Sequence, residues 1–453
     1  MTRPTLQRSR FAGGLPALVL ALVLLAAACA GGGEVGDGAG AGAAGGSEPA
    51  GSSEPASGSE PAGGSEAAGS EGGAAAEGEP LRIGMATTLS GSIALFGVAN
   101  ENGAQLAVDQ LNEAGGVLGR PLELIVRDDQ AAPEEGAAIA RDLIISENVD
   151  MLLGPVSSGV ALAITEVSAE RKVPFIVHTS NTEALMVEEF QPYMVSVVPN
   201  TGMEARAQGV DLADSEFTRW ATIAPDYEFG QAQTGTFVDT LTDENPDVEI
   251  VEQQFPELGE TDFQPFITSL LSAEPEAVYS PLFAGDLVTF TRQAANFGFF
   301  DQTEFTALYE TDALTELGDE VDLSGIRAYS RCPFTIDTPQ MAEFVDAYRA
   351  ANDSVPSDWA CMAYDAVMLW AQVVEENGEA DPDQFVETVE GFEFTSLRGE
   401  TSIREVDHQA SVPSYIGELQ FDDELGFYVY ENLQTVPAEE IWLEESEVME
   451  RRG

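Results

Sequence analysis

Residues 81–130 read LRIGMATTLSGSIALFGVANENGAQLAVDQLNEAGGVLGRPLELIVRDDQ. The stretch opens on a short apolar run, Arg82 to Leu89, passes through Ser90-Gly91-Ser92, and enters an amphipathic segment from Asn100 to Ala114. In that segment Ala104, Ala107, Val108 and Leu111 fall on one helical face, and Gly115 and Gly116 supply the stop. A second strand-like run, Leu122 to Asp128, follows. Strand, helix and strand in this rhythm are the unit of a parallel sheet, since parallel neighbours need a connection long enough to hold a helix.

The rhythm continues, with a second set beginning near Trp220. Strands are predicted at Met151 to Val156 and Phe175 to Thr179, then at Trp220 to Ala224, Glu249 to Phe255, Ala277 to Leu282 and Glu304 to Leu308. Residues 81–453 exceed what one core usually serves, so two doubly wound α/β lobes are expected. In such sheets ligands sit beyond the carboxyl ends of the strands. The loops there are small and polar: Ser90-Gly91-Ser92, Ser157-Ser158-Gly159 and Thr179-Ser180-Asn181. Each offers hydroxyls and free backbone N–H groups at a helix start, a cradle for a carboxylate. Simple helix capping accounts for any one of them, but three on one lobe point to a site.

Ahead of the body, Arg3, Arg8 and Arg10 precede an apolar stretch, Leu18 to Leu25, three alanines and Cys29, the parts of an export signal. The apolar stretch is short of the ~20 residues that a membrane span needs. Residues 30–80 have no aromatic and no basic residue and repeat SEPA at Ser47, Ser53 and Ser59, which predicts a disordered tether reaching roughly 40 Å. The chain carries 19 basic and 79 acidic residues for a net charge of −60, with Lys172 its one lysine, which excludes nucleic acid and anionic membrane surfaces as partners for the body. So acidic an exported protein suits saline surroundings. Cys332 and Cys361 are the remaining thiols and, in an oxidising exterior, read as a disulfide pair or as two buried thiols. No metal-spaced His or Cys set and no nucleophile–base set is present, so no cofactor, metal or catalysis is expected.

The runs IGMATTLSGSIALFGVANENGAQLAVDQLNEAGGVLGRPLELIVRDDQ, LLGPVSSGVALAITEVSAERKVPFIV, APDYEFGQ, FITSLLSAEPEAVYSPLFAGDLVTFTRQAANFGF and YDAVMLWAQVVEENG closely resemble the branched-chain amino acid binding proteins. These are type I periplasmic binding proteins, which also take other hydrophobic amino acids and amides. The N-terminus in turn is similar to a bacterial lipoprotein signal, with Cys29 as the lipidated residue, although Ala26 stands where that signal usually has Leu. The resemblance implies two Rossmann-like lobes with parallel central sheets joined by a three-strand hinge. The lobes would be 81–199 plus 331–407 and 200–330 plus 408–453, after a signal at 1–29 and a tether at 30–80. It further implies a monomer held on the outer face of the cell membrane through Cys29. That protein would capture a small amino-acid-like or amide ligand for an ABC permease and its ATPase, or serve as the sensing module of a receptor or kinase.

Carried across position by position, the resemblance gives a pocket. Phe96 takes the place of an aromatic packed on the ligand's side chain, and Ser157, with Ser158 beside it, matches the serine that binds the head group. Thr179 and Ser180 match the second head-group loop, and His178 replaces a small residue. On the second lobe Phe229 and Phe283 stand where tyrosines are usual, with Tyr227 nearby, and Trp359 matches another pocket aromatic. The ammonium's counter-charge would come from the loop holding Tyr309 and Glu310, either of which could face the cleft. Losing two tyrosine hydroxyls and gaining His178 favours a larger or less zwitterionic ligand than leucine. An imidazole in contact with ligand would make affinity vary between pH 5 and 8. His408, the other histidine, reads as structural.

Overall fold

A computed structural model of the chain describes residue 76, residues 78–91 and residues 93–453. The signal, Cys29, Ser92 and nearly all of the tether lie outside the described residues. The first lobe is built on β1 (Leu81–Thr87), β2 (Leu122–Asp128), β3 (Met151–Leu153), β4 (Phe175–Val177) and β5 (Met194–Ser196). They form one sheet in the order β2-β1-β3-β4-β5 with every pair parallel. Helices α1 (Ala94–Glu113), α2 (Pro133–Asp142) and α3 (Ser158–Arg171) make the crossovers. α1 begins well before the amphipathic pattern does, because Leu95 and Val98 are 57% and 43% exposed and break the periodicity of its first turns. Two glycines let this helix pack closely. A Cβ on Gly97 would lie 1.8 Å from the Thr88 carbonyl oxygen, and one on Gly103 2.0 Å from that of Ala360.

The second lobe begins with α4 (Thr201–Ala213) and runs through β6 (Arg219–Ile223), α5 (Glu228–Glu244), β7 (Glu249–Gln254), α6 (Gln264–Ser272), β8 (Ala277–Ser280), α7 (Ala284–Asn296), β9 (Glu304–Leu308), α8 (Thr311–Leu317) and β10 (Arg327–Ser330). The chain then returns to the first lobe as α9 (Pro339–Asn352), α10 (Asp358–Asn377) and α11 (Pro382–Val389), followed by the small hairpin of β11 (Glu393–Ser396) and β12 (Gly399–Ser402). Val367, Trp370 and Phe385 of that return share a core with Leu81, Ile83 and Met85 of β1. Finally β13 (Ser414–Asp422) and β14 (Phe427–Val436) complete a seven-stranded sheet in the second lobe, in the order β14-β13-β10-β9-β8-β6-β7. β13 runs antiparallel to β10 and to β14, so this sheet is mixed where an all-parallel one was expected.

Strands β3 and β4 are shorter than the apolar runs suggest. After β3, Gly154 adopts φ +124 with its Cβ position 2.0 Å from the Ala86 carbonyl oxygen, a turn that takes the chain out of the sheet and into the Ser157 loop. Four segments join the lobes: three form the hinge, and a last one carries the chain after β14 back to the first lobe. The first, at Val197–Asn200, and the third, at Gln409–Val412, are tied by Gln409, whose Nε2 donates to Val198 O at 2.8 Å and whose Oε1 accepts from Asn200 Nδ2 at 3.3 Å. The second follows β10 and is gripped by Asp358, which accepts from the Arg331 amide at 3.1 Å, the Cys332 amide at 3.3 Å and the Ser330 hydroxyl. Cys332 and Cys361 are bonded, with Cα atoms 6.3 Å apart, fastening this crossover to α10.

The last residues do not stay with the second lobe as the expected 408–453 segment would. Leu443 and Val448, the latter in α12 (Glu445–Arg452), pack with Leu185, Met186 and Val187 of the first lobe. Arg451 pairs there with Glu183 at 2.6 Å and Glu188 at 2.8 Å. His408 is buried with Nδ1 3.0 Å from Met194 O.

Candidate functional site

The site forms where the carboxyl ends of both sheets meet the crossovers. On the first lobe, Ser157 occupies the residue before α3 in extended backbone, half-buried, and its hydroxyl does not cap the helix. Ser158, also half-buried, is the first residue of α3. At the end of β4 the Thr179 hydroxyl donates to Asn100 Oδ1 at 3.0 Å and lies 2.8 Å from His178 Nδ1. Ser180 donates its amide to Pro155 O at 3.1 Å, which draws the two loops together, while its hydroxyl has no partner among the described residues.

Aromatic rings span the gap between the lobes. Phe96 of α1 stands 4.5 Å from Trp359 of α10 and 6.5 Å from Phe283 of the second lobe. Phe283 is 5.7 Å from Phe229, which stacks at 5.9 Å on Tyr227. Tyr227 precedes α5 and is 38% exposed, at the open end of this row. The expected aromatics of both lobes therefore converge.

Glu310 precedes α8, is 1% exposed, and has no hydrogen-bond partner for either carboxylate oxygen among the described residues. Burial first, and the carboxylates of Asp358 and Asp312 after it, push its pKa well up against the opposing pull of Arg331. Tyr309 goes the other way. Its ring packs in the second-lobe core with Phe305 and Ala307, and its hydroxyl is 2.9 Å from the Thr291 hydroxyl. Between the two candidates for a cleft-facing group, Tyr309 is thus a core residue, because alternation along β9 sends positions 305, 307 and 309 to one face.

His178 is completely buried, and that burial pushes its pKa down to about 3. It stays neutral at physiological pH, which removes the expected change of affinity between pH 5 and 8. Several groups at the site carry no motif. Arg331, on the second crossover, lies with its guanidinium 5.1 Å from the Trp359 ring and ion-pairs with Glu204 of α4. Glu204 also accepts from Gln233 Nε2 at 2.7 Å and Asn181 Nδ2 at 3.0 Å, so both lobes and the hinge meet at one carboxylate. Asn181 belongs to the Thr179-Ser180-Asn181 loop already read as part of a site, whereas only its position just past a strand end could have flagged Arg331.

A cleft at the carboxyl ends of two sheets, lined by small hydroxyls on one side and rings on both, is built to close over a small solute. The family profile for periplasmic binding proteins matches residues 80–424. The chain belongs to that family. Within it, the chain is 24% identical over 326 residues to the leucine-, isoleucine-, valine-, threonine- and alanine-binding protein of Pseudomonas aeruginosa, covering 71% of this chain and 85% of the relative. It is 25% identical over 337 residues to a Leu/Ile/Val-binding protein of Rhizobium johnstonii, covering 72% of this chain and 88% of the relative. Among solved structures, an ABC transporter substrate-binding protein from Sphaerobacter thermophilus superposes with a TM-score of 0.73 at 25% identity, covering 80% of this chain and 98% of that one. A solute-binding protein of Rhodopseudomonas palustris in complex with 3,4-dihydroxybenzoic acid gives 0.72 at 24% identity, covering 79% and 98%. This periplasmic binding protein is accordingly an extracytoplasmic solute-binding protein with the type I fold, and its family comprises binding proteins rather than enzymes. No helix among the described residues is long and apolar enough to cross a membrane.

Proposed function

We propose that the protein captures a small amino-acid-like ligand with a bulky or aromatic body and hands it to an ABC permease driven by a separate ATPase. The observation that carries this reading is the distribution of buried polar atoms without hydrogen-bond partners among the described residues. On the first lobe these include the Ser180 hydroxyl, and on the second both oxygens of Glu310, while the Phe96, Trp359, Phe283 and Phe229 rings span the two lobes. Ser157, Ser158, Thr179 and Ser180 hold the carboxylate or amide head, Glu310 takes the amine, and the rings cover the body. His178 orients the Thr179 hydroxyl from behind. The relative named for branched-chain amino acids and the neighbour holding a dihydroxybenzoic acid bracket this ligand class.

Closure is a ligand-shifted equilibrium, and a micromolar ligand supplies about 8 kcal/mol, enough to hold the closed state and still permit release. A thermal-shift screen of amino acids, amides and aromatic acids tests the reading, because a ligand selective for the native state raises the melting temperature by mass action. A hit among aromatic or large aliphatic amino acids or their amides is expected, and silence from every nitrogenous or carboxylated compound would sink it. For the best hit, Ser157→Ala should weaken binding by about 1–3 kcal/mol, the cost of an unpaired polar group in a closed cleft. Calorimetry showing unchanged affinity would remove Ser157 from the site. The Cys29 lipid, with the repeat-bearing tether behind it, would keep this monomer near its membrane partner, and mass spectrometry of the mature N-terminus checks that anchor.

A further inference from the structure

We propose that the cleft has a second polar chamber, floored by Asp312 and Ser357 behind the Trp359 indole, which takes a protonated amine at the far end of the ligand. The proposal rests on the cleft reading above and extends it to ligands with two cationic groups. A cavity of about 460 Å³ opens between α1 and α8, at the rim where the two lobes face each other. Trp359 links it to the cleft: its ring stands against Phe96, while Asp312, on the cavity wall, is the carboxylate beside its Nε1.

Asp312 Oδ2, Ser357 Oγ and Trp359 Nε1 are buried at this spot, where the Ser357 hydroxyl and the indole N–H face the Asp312 carboxylate without forming a well-aligned hydrogen bond to it. Ser357 is 5% exposed, lines the cavity and occupies the capping position of the 20-residue α10, yet its hydroxyl does not cap that helix. Serine in that position ordinarily bonds the exposed amides of the first turn, whereas this hydroxyl lies beside the Asp312 carboxylate and keeps its oxygen lone pairs to accept from a ligand donor. Asp358, the neighbouring acid, is by contrast satisfied by Thr311, Ser330 and the amides of the second crossover.

The chemistry of the lining selects a cation. Asp312, Asp353 and Glu424 contribute three carboxylates against the single guanidinium of Arg349. The exposed side chains of Leu95 and Val98 form an apolar wall suited to the methylenes that carry an amine. An ammonium donates three hydrogen bonds, which Asp312 Oδ2 and the Ser357 oxygen can accept. Burial pushes the Asp312 pKa up to about 7, so the carboxyl gains most from a cation that holds it ionised.

Calorimetry on the full chain with L-phenylalanine, 4-(aminomethyl)-L-phenylalanine and 4-carboxy-L-phenylalanine tests the chamber. The aminomethyl compound is expected to bind about tenfold tighter than phenylalanine, the scale of one charge-assisted hydrogen bond, and the carboxy compound no tighter. In Asp312→Asn the ratio of the first two affinities should collapse to near one, and in Ser357→Ala it should shrink, with melting temperatures confirming that both variants fold. A ratio near one in the wild type, or one that survives Asp312→Asn, overturns the chamber and leaves the cleft reading standing. If none of the three compounds binds, both fall together.

Discussion

Glu310 and Tyr309 are neighbours in sequence and part company in space. The alternation of β9 delivers Phe305, Ala307 and Tyr309 to the second-lobe core and leaves Glu310, at the turn into α8, among Asp358, Asp312 and Arg331. A carboxyl so placed has its folded-state pKa raised above its unfolded value near 4.5. The stability it contributes is therefore fully present below that value and is lost as pH rises through the folded pKa. Glu310→Gln, which cannot ionise, should melt higher than the wild type without ligand, by a margin that widens as pH climbs above 4.5. The same variant should bind an aminated ligand at least about tenfold more weakly, since a charge-assisted hydrogen bond is lost. A melting difference that stays flat with pH would show that Glu310 is solvated. His178 makes the opposite point: with its pKa at about 3, ligand affinity measured from pH 5 to 8 should carry no imidazole step.

At the scale of elements, the crossover after β10 is the most heavily fastened part of the hinge, held by Asp358 and by the Cys332–Cys361 bond. The bond spans 29 residues, so chain entropy gives it about 3.5 kcal/mol. Cys332→Ser with Cys361→Ser should lower the melting temperature accordingly, and reductant should lower that of the wild type but not of the variant. Sequence reading found the ends of β2 and β9 because apolar runs there stop at charged or turn residues. It overran β3 and β4, where apolar character continues past the point at which Gly154 and the crowded hydroxyl loops turn the chain away. It passed over β13 and β14, whose alternation is diluted by Glu418, Gln420, Glu431 and Asn432 on the exposed side of a sheet edge. A turn signal was available: Asp422 Oδ1 accepts the amides of Glu424 and Leu425, and Gly426 has φ +78. The loops holding Ser157, Thr179 and Ser180 were legible as candidates from their chemistry, whereas Arg331, Glu204 and Asp312 join the candidate site only through a contact between distant segments.

At the scale of the whole molecule, three of the scarce cations are spent inside. Arg331, Arg398 and Arg404 form their ion pairs with Glu204, Asp365 and Asp407 at side-chain exposures of 9% or less. That leaves a surface dominated by carboxylates, which repel one another across distances that salt shortens from ~10 Å at 0.1 M to ~3 Å at 1 M. Melting temperature and refolding yield should therefore rise with sodium chloride over that range, and refolding that ignores salt would contradict this electrostatic account. The return of α12 to the first lobe has a practical bearing of another kind. β1 and α12 both pack within the first lobe, so fluorescent labels attached directly at their ends would change their separation little as the lobes close. A reporter of ligand capture would have to be inserted in the second lobe, and the exposed turn at Leu258–Gly259, where Gly259 has φ +84 and open space around it, offers the entry point.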